Sequence, residues 1–115
     1  MSTRGALAEQ AAERFLTKQG LELLARNFRC RHGEIDLVMQ DGGTLVFVEV
    51  RLRTRGDFGG AAASIDPHKQ RKLILTAQHY LARLPQTPPC RFDAVLLRLD
   101  GENGMEWLKD AFSAW

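Results

Sequence analysis

The chain has 115 residues and a formal net charge of +2, with 44% hydrophobic and 26% charged residues. This is the composition of one ordinary globular domain, so we treat residues 1–115 as a single domain. No apolar run approaches the roughly 20 residues that span a bilayer, and acids within the first fifteen residues argue against a secretory signal. Cys30 and Cys90 match no metal spacing and no disulfide framework, so free thiols and a cytoplasmic location are expected.

The first predicted elements are a helix over residues 3–19 and a short strand over residues 22–29. Apolar residues recur at helical spacing, and Gly20 suits the left-handed position that follows a helix. Glu9 lies three and seven residues before Ala12 and Leu16, which places it beside the buried stripe of this helix. An exposed helix acid is the plainer interpretation of Glu9.

A β-hairpin is predicted over residues 33–53, because Asp41-Gly42-Gly43 is a turn signal. If the loop is Gly42-Gly43, cross-strand partners have residue numbers that sum to 85. Asp36 then faces Glu49, and Glu34 faces Arg51. A loop one residue earlier would leave the two acids diagonal to each other.

Strand alternation divides this hairpin into two faces. The wholly apolar face holds Ile35, Leu37, Met39, Val46, Val48 and Val50. The other face is apolar near the turn and charged at its far end, and it holds Glu34, Asp36, Val38, Gln40, Leu45, Phe47, Glu49, Arg51 and Arg53. Because apolar residues share the charged face, we expect that face to be partly covered.

Opposed carboxylates on neighbouring strands have Cβ atoms about 5 Å apart and repel unless a cation lies between them. Mg²⁺ binds well to one or two carboxylates together with water and phosphate oxygens. The acids beside a basic residue therefore suggest a metal-dependent site that acts on phosphodiesters. The plainer alternative is the solvated face of a half-buried sheet.

The positive charge is concentrated directly after the hairpin. Residues 51–72 carry six basic and two acidic residues, net +4, whereas the segments on either side are each net −1. This is a modest footprint for a polyanion, although a solvated basic loop explains it equally well. Residues 54–64, rich in glycine and small side chains, are predicted to form a loop that closes over or contacts a substrate.

A second helix is predicted from Asp66-Pro67 to about Leu84. His68, Lys69, Arg71 and Lys72 crowd its first turns, where cations oppose the helix dipole, and a bound phosphate would relieve that conflict. Surface lysines are often misplaced in this way without a ligand. A strand follows over residues 90–99, and residues 105–111 are predicted to form an edge strand or a terminal segment. The order of elements predicts a mixed α/β sheet with flanking helices.

Four motifs together resemble the YraN-like proteins, a bacterial family without a settled function. They are GEIDLV, VFVEVRLR, a helix that opens with Pro-His-Lys, and RFDAVLL. The resemblance covers nearly the whole chain and implies a restriction-endonuclease-like fold, similar to that of archaeal Holliday-junction resolvases. The signature of that superfamily is an acid, then acid-x-Lys on the next strand, often with a glutamate on the first helix.

Carried over by position, the resemblance implies that Asp36 and Glu49 bind Mg²⁺ or Mn²⁺, with Glu9 as the first-helix acid. Arg51 stands where the signature has lysine. Arginine holds phosphate oxygens well, but it does not lose its proton and so cannot act as a general base. These four residues are the expected catalytic set.

Three functions follow as hypotheses. The first is a metal-dependent DNA endonuclease for branched or damaged structures, in which the flanking backbone is held by Arg53, Arg55, Lys69, Arg71 and Lys72. The second, motivated by Arg51, is a nucleic-acid-binding module without catalysis. The third is a protein-interaction domain whose edge strand and terminal Phe112 and Trp115 favour pairing with a second copy, as a homodimer, or with another protein.

Overall fold

Two helices and five strands make up the part of the chain described by the structure, a computed structural model covering residues 4–53, 65–98 and 104–113. In chain order they are α1 (Arg4–Lys18), β1 (Glu22–Cys30), β2 (Gly33–Asp41), β3 (Thr44–Arg53), α2 (Pro67–Leu81), β4 (Cys90–Arg98) and β5 (Met105–Phe112). The predicted order of helix, three strands, helix and one or two strands is confirmed, with two strands after the second helix.

The five strands form one sheet in the order β1-β2-β3-β4-β5. Strands β3 and β4 are parallel, from Leu45↔Cys90 to Arg53↔Arg98, and the other neighbours are antiparallel. A parallel pair needs a long crossover, and α2 lies in that connection. The expected mixed α/β sheet with flanking helices is therefore confirmed, with β1 and β5 at its edges.

The sheet has a hydrophobic core on each face. On the α1 face, buried residues of the helix and the sheet pack together: Ala8, Ala12, Leu16, Leu37, Met39, Val46, Val48, Val95 and Leu97. On the α2 face the corresponding cluster contains Ile35, Val38, Leu45, Phe47, Leu73, Ala77, Phe92, Ala94 and Leu96. The predicted cover over Val38, Leu45 and Phe47 is thus α2.

Helix α2 begins as the sequence predicts and ends earlier. The Asp66 side chain accepts a hydrogen bond from the Lys69 backbone N–H at 2.7 Å, and Pro67 occupies the first turn. The helix ends at Leu81 rather than near Leu84. Tighter turns follow in which Arg83 and Leu84 donate to carbonyls three residues back. Such turns are common at helix ends. Leu84 also precedes Pro85, and helical geometry is disfavoured for a residue before a proline.

The hairpin has the predicted Gly42-Gly43 loop. Asp41 pairs with Thr44, and every pair up to Leu37↔Val48 has residue numbers that sum to 85. Gly42 has φ +60°, the left-handed conformation that such a turn requires. Pairing ends at Leu37↔Val48, one residue before Asp36 would face Glu49.

The predicted division of the hairpin into two faces fails at Ile35, which packs in the α2 core although Leu37 packs in the α1 core. The side chains of the neighbouring strand, β1, change faces at the same place. Arg26, opposite Leu37, contacts α1, whereas Phe28, opposite Ile35, packs against α2. The cause lies in the backbone, since Asn27 between them has φ +50° and interrupts strict alternation.

Other expectations concern the two thiols, a membrane span and the segment after β3. Both cysteines are free, as predicted. No helix within residues 4–53, 65–98 and 104–113 is long and apolar enough to cross a membrane. The predicted substrate-contacting loop over residues 54–64, and Trp115, lie outside the described residues.

Candidate functional site

Asp36 occupies the point where β2 and β3 stop pairing. Its side chain is 9% exposed, and its Oδ2 accepts a hydrogen bond from the backbone N–H of Val50 at 2.8 Å. The carboxylate therefore takes the position that a carbonyl would hold in a continuing ladder. The carboxylate is therefore held in place by β2, to which Asp36 belongs, and by the Val50 N–H of β3.

Glu49, 5% exposed, is the second buried carboxylate of the site. Burial, together with the negative charge of Glu49 and a hydrogen bond between the two side chains, raises the pKa of Asp36 from its ordinary 3.8 to about 7. The structure thus brings Asp36 and Glu49 together as the sequence predicts, although they are not a regular cross-strand pair. Two buried acids this close share a proton or attract a cation.

Glu9 joins the same cluster from α1. Single carboxylate oxygens of Glu9, Glu34 and Asp36 all lie within 4.8 Å of one another. Asn27 holds Glu9 by donating from Nδ2 to Oε1 at 2.8 Å. Burial raises the pKa of Glu9, and the charges of Asp36 and Glu34 raise it further, while the Asn27 hydrogen bond opposes them. The expected first-helix acid is therefore placed beside Asp36, and the plainer interpretation of Glu9 as an exposed helix acid does not hold.

Two cations approach Glu49 from different elements. Arg51 Nε lies 3.5 Å from Glu49 Oε2, and Lys69 Nζ on α2 lies 3.4 Å from the same oxygen. Lys69 was predicted to hold flanking nucleic-acid backbone, and the structure places its partly exposed ammonium group beside the buried Glu49. The site therefore contains a lysine, delivered by a helix rather than by β3.

The extended register predicted that Glu34 would face Arg51, but the two residues do not pair. Its carboxylate forms an ion pair with Arg29 of β1. The reason is the switch at Asn27 and Ile35, which takes this end of β2 away from β3. Glu34 therefore faces the Glu9 side of the cluster, and its net charge there is reduced by Arg29.

The structure describes only some of the other predicted phosphate-binding residues. Arg71 and Lys72 are exposed on α2, one turn beyond Asp66. Arg53 is the last residue of β3, and its side chain is not among those described. Arg55 lies outside the described residues. Of the five residues, Lys69 alone is described in contact with a site carboxylate.

Two residues that organise this part of the fold escaped sequence reasoning. Asn27 holds Glu9, and its only signal is an asparagine, a residue that tolerates left-handed geometry, inside a strand. Asp93 is 1% exposed in β4 and accepts hydrogen bonds from Arg91, Trp107 and the backbone of Asp110. An acid within an otherwise apolar strand was the available signal for Asp93, which anchors β5.

Fold and site together define an α/β protein in which a mixed sheet, covered by one helix on each face, carries a half-buried cluster of carboxylates where two strands separate. Residues 8–97 match the uncharacterised protein family UPF0102, and the chain belongs to that family. The expected YraN-like membership is thereby confirmed.

Curated relatives match the chain over nearly its full length. A UPF0102 protein of Methylobacillus flagellatus is 60% identical over 114 residues, which cover 99% of this chain and all of the relative. UPF0102 proteins of Nitrosomonas eutropha and Cupriavidus taiwanensis are 58% and 59% identical over 95% and 96% of this chain, covering 92% and 83% of their own lengths. Their names state a family and no activity.

Proposed function

We propose that this protein is a restriction-endonuclease-like nuclease that uses Mg²⁺ or Mn²⁺ to hydrolyse phosphodiester bonds in DNA. The observation that carries the proposal is that Asp36 joins two groups: its carboxylate lies with those of Glu9 and Glu34, and it neighbours Glu49, which Arg51 and Lys69 approach. Acids alone would suit a cation, and basic residues alone would suit an anion. A site that combines both suits a phosphate group bridged to a metal ion.

The carboxylates fit a hard divalent cation. All the donors are carboxylate oxygens, the ligands that Mg²⁺ and Mn²⁺ prefer, and neither histidine nor cysteine joins the group of Glu9, Glu34 and Asp36. Burial and the charge of Glu49 raise the pKa of Asp36, so positive charge nearby would stabilise its ionised form. A bound divalent cation would supply that charge, polarise the phosphoryl oxygens and make a nearby water more acidic.

Arg51 and Lys69 fit the phosphate. Both lie on the Glu49 side of the cluster, so a phosphodiester bound beside the acids would meet two cationic donors there. Arginine binds two phosphate oxygens at once, and lysine offers a mobile point charge. Lys69 supplies a lysine at the site that β3 lacks.

The test is metal binding followed by cleavage. We expect Mn²⁺ to bind the wild-type protein by calorimetry and not to bind the Asp36→Asn/Glu49→Gln double variant. With Mn²⁺, the wild type should cut at least one of linear, nicked and four-way-junction DNA. Normal DNA binding without cleavage of any of them would reject the nuclease.

Arg51 favours a second candidate, a nucleic-acid-binding module on the same scaffold. In that case the acids serve folding rather than hydrolysis. The module predicts that Asp36→Asn and Glu49→Gln leave DNA affinity and cellular phenotype unchanged. A clear loss of either on one substitution would count against it.

A further inference from the structure

A long acid-free segment lies on the α2 side of the molecule. Residues 67–92 contain no aspartate or glutamate and carry five lysines and arginines together with two histidines. Most of this segment is α2 itself and the turns that follow it. In the folded protein Lys69 pairs with Glu49, and Arg91 pairs with Asp41 and Asp93. The remaining positive charge of the segment is the part that a polyanion would stabilise.

Several of these residues lie on a single flank of α2. Lys72, Thr76, His79 and Arg83 follow at intervals of four, three and four, so they fall along one side of the helix and of the turn after it. Thr76 fixes where that side points. Its Oγ1 lies 3.7 Å from Cys30 Sγ, and both Thr76 and Lys72 lie directly against Gly33. The flank therefore faces the turn between β1 and β2.

That turn adds positive charge to the same surface. The ring of His32 lies 5.2 Å from the ring of His79, centroid to centroid, and Arg31 Nε approaches His32 Nε2 at 3.5 Å. Arg83 is held in place by stacking, with its guanidinium carbon 5.5 Å and 5.8 Å from the ring centroids of Phe28 and Tyr80. We call Arg31, His32, Lys72, His79 and Arg83 the basic flank.

We infer that the basic flank binds the phosphate backbone of a nucleic acid. Among the described residues, no carboxylate forms an ion pair with Arg31, Lys72 or Arg83, so their charge is available to a ligand. From Lys69 in the acid cluster to His79 the helix rises about 15 Å, the axial length of about four base pairs. The basic flank thus continues from the acid cluster along the length of α2.

The inference extends the proposed function, because it gives the path of the strand that enters the acid cluster. It does not depend on catalysis. Contacts of this kind position a nucleic acid without reading its sequence, and they make affinity fall steeply with salt. The positively charged segment predicted from the sequence ended at Lys72, and the basic flank extends the positive surface along α2 to Arg83.

The experiment measures DNA affinity in EDTA, so that metal binding and cleavage play no part. Fluorescence anisotropy with a short labelled duplex and a single strand compares the wild type with Lys72→Gln/Arg83→Gln. The matched control is Arg14→Gln/Lys18→Gln, which removes the same charge from exposed positions on α1, across the sheet. We expect about a tenfold loss and a salt slope shallower by about 2 for the flank variant only. Lys72→Arg/Arg83→Lys should bind as the wild type does.

Three results would overturn the inference. They are wild-type affinity for DNA in the flank variant, an equal loss of affinity in the control, and no binding of DNA by the wild type at 50 mM salt. Competition by poly-glutamate as strong as that by DNA would assign the flank to acidic peptides instead. If the protein binds DNA through the flank but no Mn²⁺, the proposed nuclease fails while this inference stands.

Discussion

The carboxylate of Asp36 replaces a backbone carbonyl as the acceptor for the Val50 N–H, at 2.8 Å, where β2 and β3 separate. This one contact ties a functional acid to the fold. β2 and β3 separate far enough for the Asp36 carboxylate to lie between them. The carboxylate then accepts the hydrogen bond from the Val50 N–H, which would otherwise lack an acceptor. Loss of the side chain therefore has a structural effect that is separable from any effect on metal binding.

The first prediction separates those two effects. Asp36→Asn keeps an oxygen that accepts from Val50, whereas Asp36→Ala leaves a buried N–H without that acceptor. We expect the alanine variant to have a free energy of unfolding about 1–3 kcal/mol lower than the asparagine variant, measured in urea. Both should lose Mn²⁺ binding. Equal stability of the two variants would mean that the Val50 contact contributes nothing.

The second prediction concerns pH. Burial and Glu49 raise the pKa of Asp36 from 3.8 to about 7 in the folded protein. Below pH 4 the carboxyl is protonated in both states. Between about pH 4 and 7 the folded protein keeps a proton that the unfolded chain has lost, so the free energy of unfolding falls as the pH rises.

The size of this effect is bounded by the shift, at up to about 4 kcal/mol, since one pKa unit corresponds to about 1.4 kcal/mol. Urea unfolding in EDTA at several pH values measures it. Asp36→Asn is the control, because its side chain does not titrate while other groups of the protein still do. Parallel pH curves for the wild type and the variant would show that Asp36 is ionised as readily in the folded protein as in the unfolded chain.

The sequence predicts the fold well because its signals are local. The Gly42-Gly43 turn sets the hairpin register, and Asp66-Pro67 sets the start of α2. That register puts Asp36 and Glu49 on one charged face with Glu34 and Arg51, and the family resemblance singles out Asp36 and Glu49 among them. The face of Ile35 does not follow, because one left-handed residue on the neighbouring strand, Asn27, overrides alternation there.

The place of Lys69 in the site was also beyond sequence reasoning. Its spacing from Asp66 assigns it to the first turn of α2, but not to any position over the sheet. Only the packing of Leu73 and Ala77 on the sheet brings that turn over Glu49. The sequence predicts Lys69 as a phosphate contact, and the tertiary structure shows which carboxylate it meets.

The third prediction tests Asn27 as a positioning residue. Asn27→Gly accepts φ +50° without strain but removes the donor that holds Glu9. We expect Mn²⁺ affinity to fall about tenfold with stability nearly unchanged. Asp110→Gly is the control, since Asp110 has φ +54° on β5, away from the cluster. A similar loss of affinity in the control would point to a general effect of glycine.

The fourth prediction tests Lys69. Lys69→Met should lower the single-turnover cleavage rate about a hundredfold, as expected for the loss of a donor to transition-state charge. It should also raise Mn²⁺ affinity, because a cation 3.4 Å from Glu49 competes with the metal. Lys18→Met, exposed on α1, should do neither. Unchanged cleavage and unchanged metal affinity in Lys69→Met would return Lys69 to the role of a flanking contact.

The fifth prediction concerns the attachment of β5. Asp93 accepts hydrogen bonds from Arg91 Nε at 3.0 Å, Trp107 Nε1 at 3.0 Å and the Asp110 backbone N–H at 2.9 Å. Asp93→Ala would leave three donors without this acceptor, one of them charged. We expect the free energy of unfolding to fall by about 3–5 kcal/mol, the usual result of removing one member of a buried ion pair.

Asp41→Ala is the matched control, because Asp41 pairs with the same Arg91 at 3.0 Å but its side chain is 37% exposed. An exposed ion pair contributes at most about 1 kcal/mol, so this variant should unfold almost as the wild type does. Urea unfolding followed by circular dichroism measures both. If Asp93→Ala costs no more than Asp41→Ala, β5 is held by its backbone pairing with β4 and by apolar contacts, and the buried carboxylate is not its anchor.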